Sequence, residues 1–351
     1  MKSDKVAVVD RKQDPDAPPA FSEYKAETKK EGSDRDDIYS HDPHINSDGE
    51  ALYRFLLDQQ TQHPPVLRIL IKGSRYETTT GTSYQNSTEF IFHVDVPLSA
   101  ELANERVHYS LADSEPAYRG DSAKEIEVKG EKKPIGFNDF RNYNSQRDAR
   151  AKKGVAPWCV DVDEKDLPVL QQGKESEYVE KLQALHARPW KSSRSLREWA
   201  DDYCSKTSSR REFAFQQDFY GWDLEKLENI MCTAIKEKFG YTGDVTLEFW
   251  TVHSKIFARP PGTVSKVLSK IWHGGLSVWK IAGVAYPLTK WVPVEKSSSD
   301  STPSSQFVKT STGFQKRIGM TEEGWFKKWE STIAEAVNKK LDTCEFISCP
   351  I

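Results

Sequence analysis

The sequence predicts an α+β fold: a β-hairpin region, then a strand–helix–strand unit packed with a Trp-rich C-terminal helix. Three observations carry this expectation. Val66, Leu67, Ile69, Leu70 and Ile71 form one β-type run, and Phe90, Phe92 and Val94 alternate in a second. Between 211 and 249 the apolar period switches from two to 3.6 and back to two. Near the C-terminal end Trp325, Trp329, Ile333 and Val337 recur every four residues, with Lys and Glu on the other faces.

Composition divides the 351 residues into four stretches. Residues 1–50 hold thirteen Asp/Glu against eight Lys/Arg, with Pro15, Pro18, Pro19 and Pro43, and read as a disordered acidic tail. Residues 51–120 form the β-rich N-terminal part of the fold. They open with a short helix at 48–60 that places Leu52, Phe55 and Leu56 on one side. The Thr/Ser/Gly-rich stretch between the two β runs reads as a long polar hairpin connection. Residues 121–193 are charged and poorly periodic, which predicts an insertion or linker.

Residues 194–351 form the α+β C-terminal part. Ser195 and Glu198 stand at capping-box spacing ahead of Leu196, Trp199 and Tyr203 on one helical face. Phe213, Phe215 and Phe219 share strand parity. Asp223 caps an amphipathic helix striped by Leu227, Ile230, Met231, Ala234 and Ile235, and Gly240 ends it. Val245, Leu247 and Phe249 then lie on one face of a returning strand, and 306–320 adds short strands before the closing helix.

Chemistry is harder to find. There is no HExxH, GxSxG, GxxxxGK[ST] or GxGxxG, so no catalytic residue is proposed and a non-enzymatic role is expected. His41, Asp42, His44, Asp48 and Glu50 cluster in sequence, but no register supplies both the Gly and the Glu of a calcium loop. The acidic run 161–166 reads as a solvated loop, so neither metal nor cofactor is expected. A net charge of −3 argues against nucleic acid as a partner. The five cysteines, Cys159, Cys204, Cys232, Cys344 and Cys349, form no CxxC pair, and the N-terminus lacks the apolar core of a signal peptide. These features predict reduced thiols and a cytoplasmic location.

The most apolar stretch is 264–291. Lys266, Lys270, His273, Ser277 and Lys280 are spaced 4, 3, 4 and 3, which draws a narrow polar stripe along a helix. Val264, Val267, Leu268, Ile271, Trp272, Leu276 and Trp279 fill the remainder. Lys270 and Lys280 leave no uncharged run of the roughly 18–20 residues a membrane span needs. Two readings stay open: an interfacial helix on an anionic membrane surface, or a core helix. The first makes Lys266, Lys270, Ile271, Trp272, Leu276, Trp279 and Lys280 the membrane contacts of a peripheral protein on the cytosolic face. The alternative is a soluble binding module for a lipid or other apolar ligand, with this segment in its core. No protein partner is indicated.

The stretches SLREWADDYC, REFAFQQDFYGWDLEKLENIM and FGYTGDVTLEF resemble, in that order, a family of uncharacterised filamentous-fungal proteins. IKGSRYETTTGTSYQNSTEFIFHVDV and MTEEGWFKKWESTIAEAV are similar to that family's earlier hairpin and closing helix, so the resemblance covers roughly 65–340. It implies an aromatic-rich apolar segment after the second strand that enters a membrane. Here Lys270, His273 and Lys280 interrupt that segment. The resemblance implies location and fold and no activity.

Overall fold

The computed structural model describes residues 26–31, 35–79, 83–99, 101–121, 124–159, 162–187, 191–262, 277–294 and 307–347. In chain order the elements begin with β1 (Lys29–Glu31), β2 (Asp37–Ser40), α1 (Gly49–Gln62), β3 (Val66–Thr79) and β4 (Ser83–Val96). They continue with β5 (Val107–Ser110), β6 (Tyr118–Asp121), β7 (Glu125–Val128), β8 (Glu131–Pro134), α2 (Phe137–Lys152) and α3 (Glu175–His186). Then come α4 (Leu196–Ser205), β9 (Arg211–Tyr220), α5 (Leu224–Thr233), β10 (Asp244–Val252), β11 (Lys255–Ala258) and β12 (Ser277–Pro287). The last are β13 (Thr289–Val294), β14 (Phe307–Thr310), β15 (Gly313–Gly319), α6 (Glu322–Asn338) and β16 (Asp342–Ile347). The fold is α+β, as its sequence pattern predicts.

Two sheets organise the chain. The larger has the order β1-β2-β11-β9-β12-β5, with β6 also on β12. Its β2–β11 and β9–β12 pairs are parallel. The smaller has the order β10-β3-β4-β16. β9, α5 and β10 follow one another as expected, but the two strands join different sheets. α5 packs with α6 over the smaller sheet, where Leu227, Met231, Ile235, Trp325, Trp329 and Ile333 meet Ile69, Phe92 and Val94. On the larger sheet, Phe213, Phe215, Ile256 and Trp279 share a core with α1 and α4, through Leu52, Leu56, Leu196, Trp199 and Tyr203.

Local signals explain most of the helices. Asp48 accepts hydrogen bonds from the first amides of α1, and Ser195 and Glu198 form a reciprocal capping box on α4. Asp223 and Thr321 cap α5 and α6. Each cap satisfies a backbone N–H that the helix itself leaves unpaired.

Four expectations change. Residues 35–50 are not a solvated tail: β2 pairs with β11, and Ile38, Ile45, Asp42 and Asn46 are buried. An isolated Ile in an acidic context has no period to announce it. The Asp and His residues there serve turns: Asp42 accepts from the His44 amide at 2.8 Å, and Asp48 from the Glu50 amide at 2.9 Å. The hairpin connection is also shorter than expected. Thr and Ser continue the ladder to Thr79–Ser83, because a paired β backbone tolerates hydroxyl side chains on either face.

The charged stretch 121–193 is part of the fold. Val155, Trp158, Leu167 and Val179 are buried, and α2 lies against the larger sheet. Finally, the described part of the 264–291 segment is strand, not helix. β12 is buried at every position from Val278 to Pro287 except Lys280, so apolar residues occupy both of its faces. Such a strand loses its alternation and reads like a helical stripe.

Candidate functional site

Strand alternation gives the larger sheet two unlike faces. On β9, Phe213, Phe215 and Gln217 are buried on the core side, while Glu212, Ala214, Gln216 and Asp218 face the other way. β11 contributes Lys255 and Phe257 to that second face and turns Ile256 and Ala258 away from it. β12 contributes Lys280. Across from them runs α2, which presents Asn144 and Arg147, one turn apart.

These residues enclose a cavity of about 360 Å³ that adjoins a second of about 310 Å³, with Asn144, Arg147, Gln216, Lys255 and Lys280 bordering both. Ladder geometry singles out Lys280. Between the Trp279–Phe213 and Ala282–Phe215 pairs, β12 spends three residues where β9 spends two, so a bulge falls at Lys280 and Ile281. Bulges bend a strand locally and re-aim side chains. Gly120, at φ +98°, lies directly on the Trp279 indole at this point: a Cβ there would sit 2.7 Å from the ring.

Cations outnumber carboxylates along the two cavities: Lys124, Arg147, Arg150, Lys255 and Lys280 stand against Glu212, Asp148 and Asp218. Asp218 is engaged: one carboxylate oxygen accepts from Gln216 Nε2 at 2.8 Å and the other from the Tyr109 hydroxyl. Glu212 is paired with Arg259 at 2.5 Å. Lys124 lies 3.3 Å from the centroid of the Phe140 ring. Among the described residues, however, neither the Lys255 nor the Lys280 ammonium has a hydrogen-bond or ion-pair partner.

Burial works against the charge of Arg147. The Tyr109 and Tyr143 hydroxyls and the Asp218 and Glu115 carboxyls outweigh it, and hold the guanidinium firmly protonated. Desolvation by the surrounding cavity walls, helped by repulsion from Lys255 and Arg147, lowers the Lys280 amine to about 8, although the side chain still reaches solvent. At the cavity's edge, burial raises the Glu115 carboxyl to about 7 against the pull of Arg147, Tyr143 and Arg150. Aromatic surface completes the wall: Phe257 stacks on Tyr39 at 4.7 Å, and Tyr118 and Phe140 flank Lys124.

Of the residues predicted to touch a membrane, Lys266, Lys270, Ile271, Trp272 and Leu276 lie outside the described residues. Trp279 and Lys280 are separated by the sheet. Trp279 is 0% exposed and donates its indole N–H to Asp202 at 2.7 Å, so in this fold it is a core residue and not a membrane contact. Lys280 points into the cavity instead. Sequence reasoning missed Arg147, Lys255, Gln216, Asp218 and Tyr109. One signal was present: Gln216 and Asp218 share strand parity with Glu212, opposite the Phe213 and Phe215 face.

No protein-family model, curated protein or solved structure matches the chain. Among the described residues, no helix is long and apolar enough to cross a membrane, and no three His, Cys, Asp or Glu side chains gather as metal ligands.

Proposed function

We propose that this protein is a binding module for a small anionic ligand, held between α2 and the face of β9, β11 and β12 that it opposes. The observation that carries the reading is that three cations, Arg147, Lys255 and Lys280, border both adjoining cavities, while Glu212 is paired with Arg259, Asp218 is bound by Gln216 and Tyr109, and the third lining carboxylate, Asp148, is exposed to solvent. Gathering like charges in a partly desolvated space is unfavourable unless a counter-charge joins them. A carboxylate or phosphate supplies that charge and accepts the fork of donors that Arg presents. Phe257, Tyr118 and Ala214 give the rest of the ligand an apolar and aromatic wall. This revises the expected apolar ligand to one with an anionic head.

The test is calorimetric titration of inorganic phosphate into the full chain at constant low ionic strength, beside a chloride control. Saturable phosphate binding, weakened at least tenfold by Lys255→Gln or Lys280→Gln without loss of melting temperature, supports the reading. A titration that matches chloride refutes it.

A second reading, peripheral attachment to the cytosolic face of a membrane, retains support from the sequence of 264–276. One observation favours it. Ala258 pairs with Phe213 and Ser277 with Arg211, so β11 ends and β12 begins at the same end of the sheet. Lys266, Lys270, Ile271, Trp272 and Leu276 would supply the basic and apolar contacts. The discriminating variant is Lys266→Gln/Lys270→Gln/Trp272→Ser, with Trp279 left intact. Loss of sedimentation with phosphatidylserine vesicles supports attachment. A wild-type protein that stays in the supernatant at low salt excludes it.

A further inference from the structure

We infer that Lys280 is a nucleophilic amine, and that it forms a reversible imine with an aldehyde or ketone whose anionic substituent is held by Arg147 and Lys255. The inference rests on the anion-binding reading and adds a covalent step to it.

Three features of the geometry converge on this residue. Lys280 stands at the β12 bulge, a place where the strand's backbone departs from its ladder and a side chain is re-aimed. Its neighbour Trp279 is locked in the opposite core by Asp202, Tyr203 and the close approach of Gly120, so the strand cannot rotate to withdraw the lysine. Its ammonium has no acid partner among the described residues, although it lines a cavity that opens to solvent. Lys280 stands on an interior strand, reaches solvent through the cavity, and has Lys255 and Arg147 beside it with no described carboxylate in salt-bridge contact.

Tyr118 on β6, which pairs with Lys280 across the ladder, Tyr109 on β5, Lys124 and Asp148 line the same cavities. Lys255 on β11 and Arg147 on α2 repel the Lys280 proton, while Glu212 and Asp218 on β9 attract it. Both acids are committed elsewhere, Glu212 to Arg259 and Asp218 to Gln216 and Tyr109. With its amine lowered to about 8, Lys280 is about half neutral at pH 8, whereas an ordinary lysine is about 0.3% neutral there. Placing a lysine beside another cation is a general way to obtain a reactive amine at ordinary pH.

The step balances without an oxidant or a further reactant. The neutral Nζ lone pair adds to the carbonyl carbon, and the carbonyl π pair moves to oxygen, which takes a proton. Nζ gives up a proton to water, leaving a carbinolamine. The hydroxyl then takes a proton and leaves as water while the nitrogen lone pair forms the C=N bond. Water enters and leaves through the open cavity. Arg147 and Lys255 fix the anionic group of the same molecule, so the carbonyl is presented to Nζ as an effectively intramolecular partner. An oxo acid or a phosphorylated aldehyde combines both requirements.

Pyridoxal 5′-phosphate is a suitable probe because it carries a phosphate, an aldehyde and an aromatic ring. The full chain is incubated with it at pH 8, reduced with borohydride, digested and mapped by mass spectrometry. The expected result is one adduct per chain, on Lys280. Inorganic phosphate suppresses it, and it forms at a rate that rises with pH around a midpoint near 8 rather than above 10. Lys280→Arg keeps the positive charge and loses the adduct. Lys255→Gln keeps the adduct but needs at least tenfold more probe. Modification spread over surface lysines, or undiminished in Lys280→Arg, overturns the inference. If phosphate binds saturably yet Lys280 stays unmodified, the nucleophile role fails and the anion-binding reading stands. If phosphate neither binds nor protects, both fail.

Discussion

On one face of the seven-stranded sheet, Phe213, Phe215 and Trp279 meet the apolar stripes of α1 and α4. On the other, Glu212, Gln216, Asp218, Lys255 and Lys280 meet the polar helix α2. The helices differ as much as the faces. α4 begins with a complete capping box and buries Leu196, Trp199, Ala200 and Tyr203. α2 begins at Gly136 with no side-chain cap, and its only fully buried residue is Arg150. Polar contacts hold it instead, among them the Tyr143 hydroxyl donating to Glu115 at 3.0 Å. One face therefore carries stability, whereas the other gathers charge at the expense of packing. Local rules are broken in this way where a protein needs a site.

The sharpest way to break that contrast is to mutate adjacent residues on β12. Trp279→Ala removes a fully buried indole and should destabilise the protein by about 3–5 kcal/mol. Lys280→Ala, one residue on, should cost less than about 1 kcal/mol or stabilise slightly by relieving repulsion. Urea denaturation of both variants measures the difference. Equal losses would show that the two faces are not distinct.

The smaller sheet supplies a reference for an ordinary core. Leu227→Ala on α5 and Ile235→Ala in the π-helical turn Ala234–Lys238 that continues it, both 0% exposed, should each cost about 2–5 kcal/mol. Denaturation midpoints matching the wild type would mean that α5 is not packed as described.

The charged face should also make stability depend on pH. Burial raises the Glu115 carboxyl to about 7 from an ordinary value of 4.5. Between those two values the folded state holds a proton that the unfolded state has lost. The unfolded state binds fewer protons, so stability falls as pH rises through this window and levels off above about 7. The full loss is at most about 3 kcal/mol. Comparing urea midpoints at pH 5 and pH 7.5 measures it, and Glu115→Gln should flatten the slope. An unchanged slope in that variant would assign the effect to another group.

The smallest effect belongs to the well-capped helix. Ser195→Ala should cost about 1 kcal/mol by removing the acceptor for the Glu198 amide. The same readout on Asp48→Ala, at the start of α1, should give a loss of similar size. Larger losses at either position would show that these caps also hold tertiary structure.

By itself the sequence determined the α+β class, the positions of α1, α4, α5 and α6, and the apolar faces those helices bury, but not the π-helical turn over Ala234–Lys238 that ends the α5 stretch. Caps and helical period are local, because a backbone amide within a few residues must find its acceptor and a stripe must meet a core. Tertiary structure alone decided the rest. That β9 and β10 belong to different sheets, and that β2 joins β11 across more than two hundred residues, depends on long-range pairing that no local pattern encodes. That 277–287 is strand was hidden because β12 is buried on both faces apart from Lys280, which replaces its alternation with a nearly continuous apolar run. The site was hidden as well. Arg147, Asp218, Lys255 and Lys280 come from four separate elements, and each looks like a solvated charge in its own stretch. Only the folded chain, by placing three strands under a polar helix, turns them into one positively charged cavity.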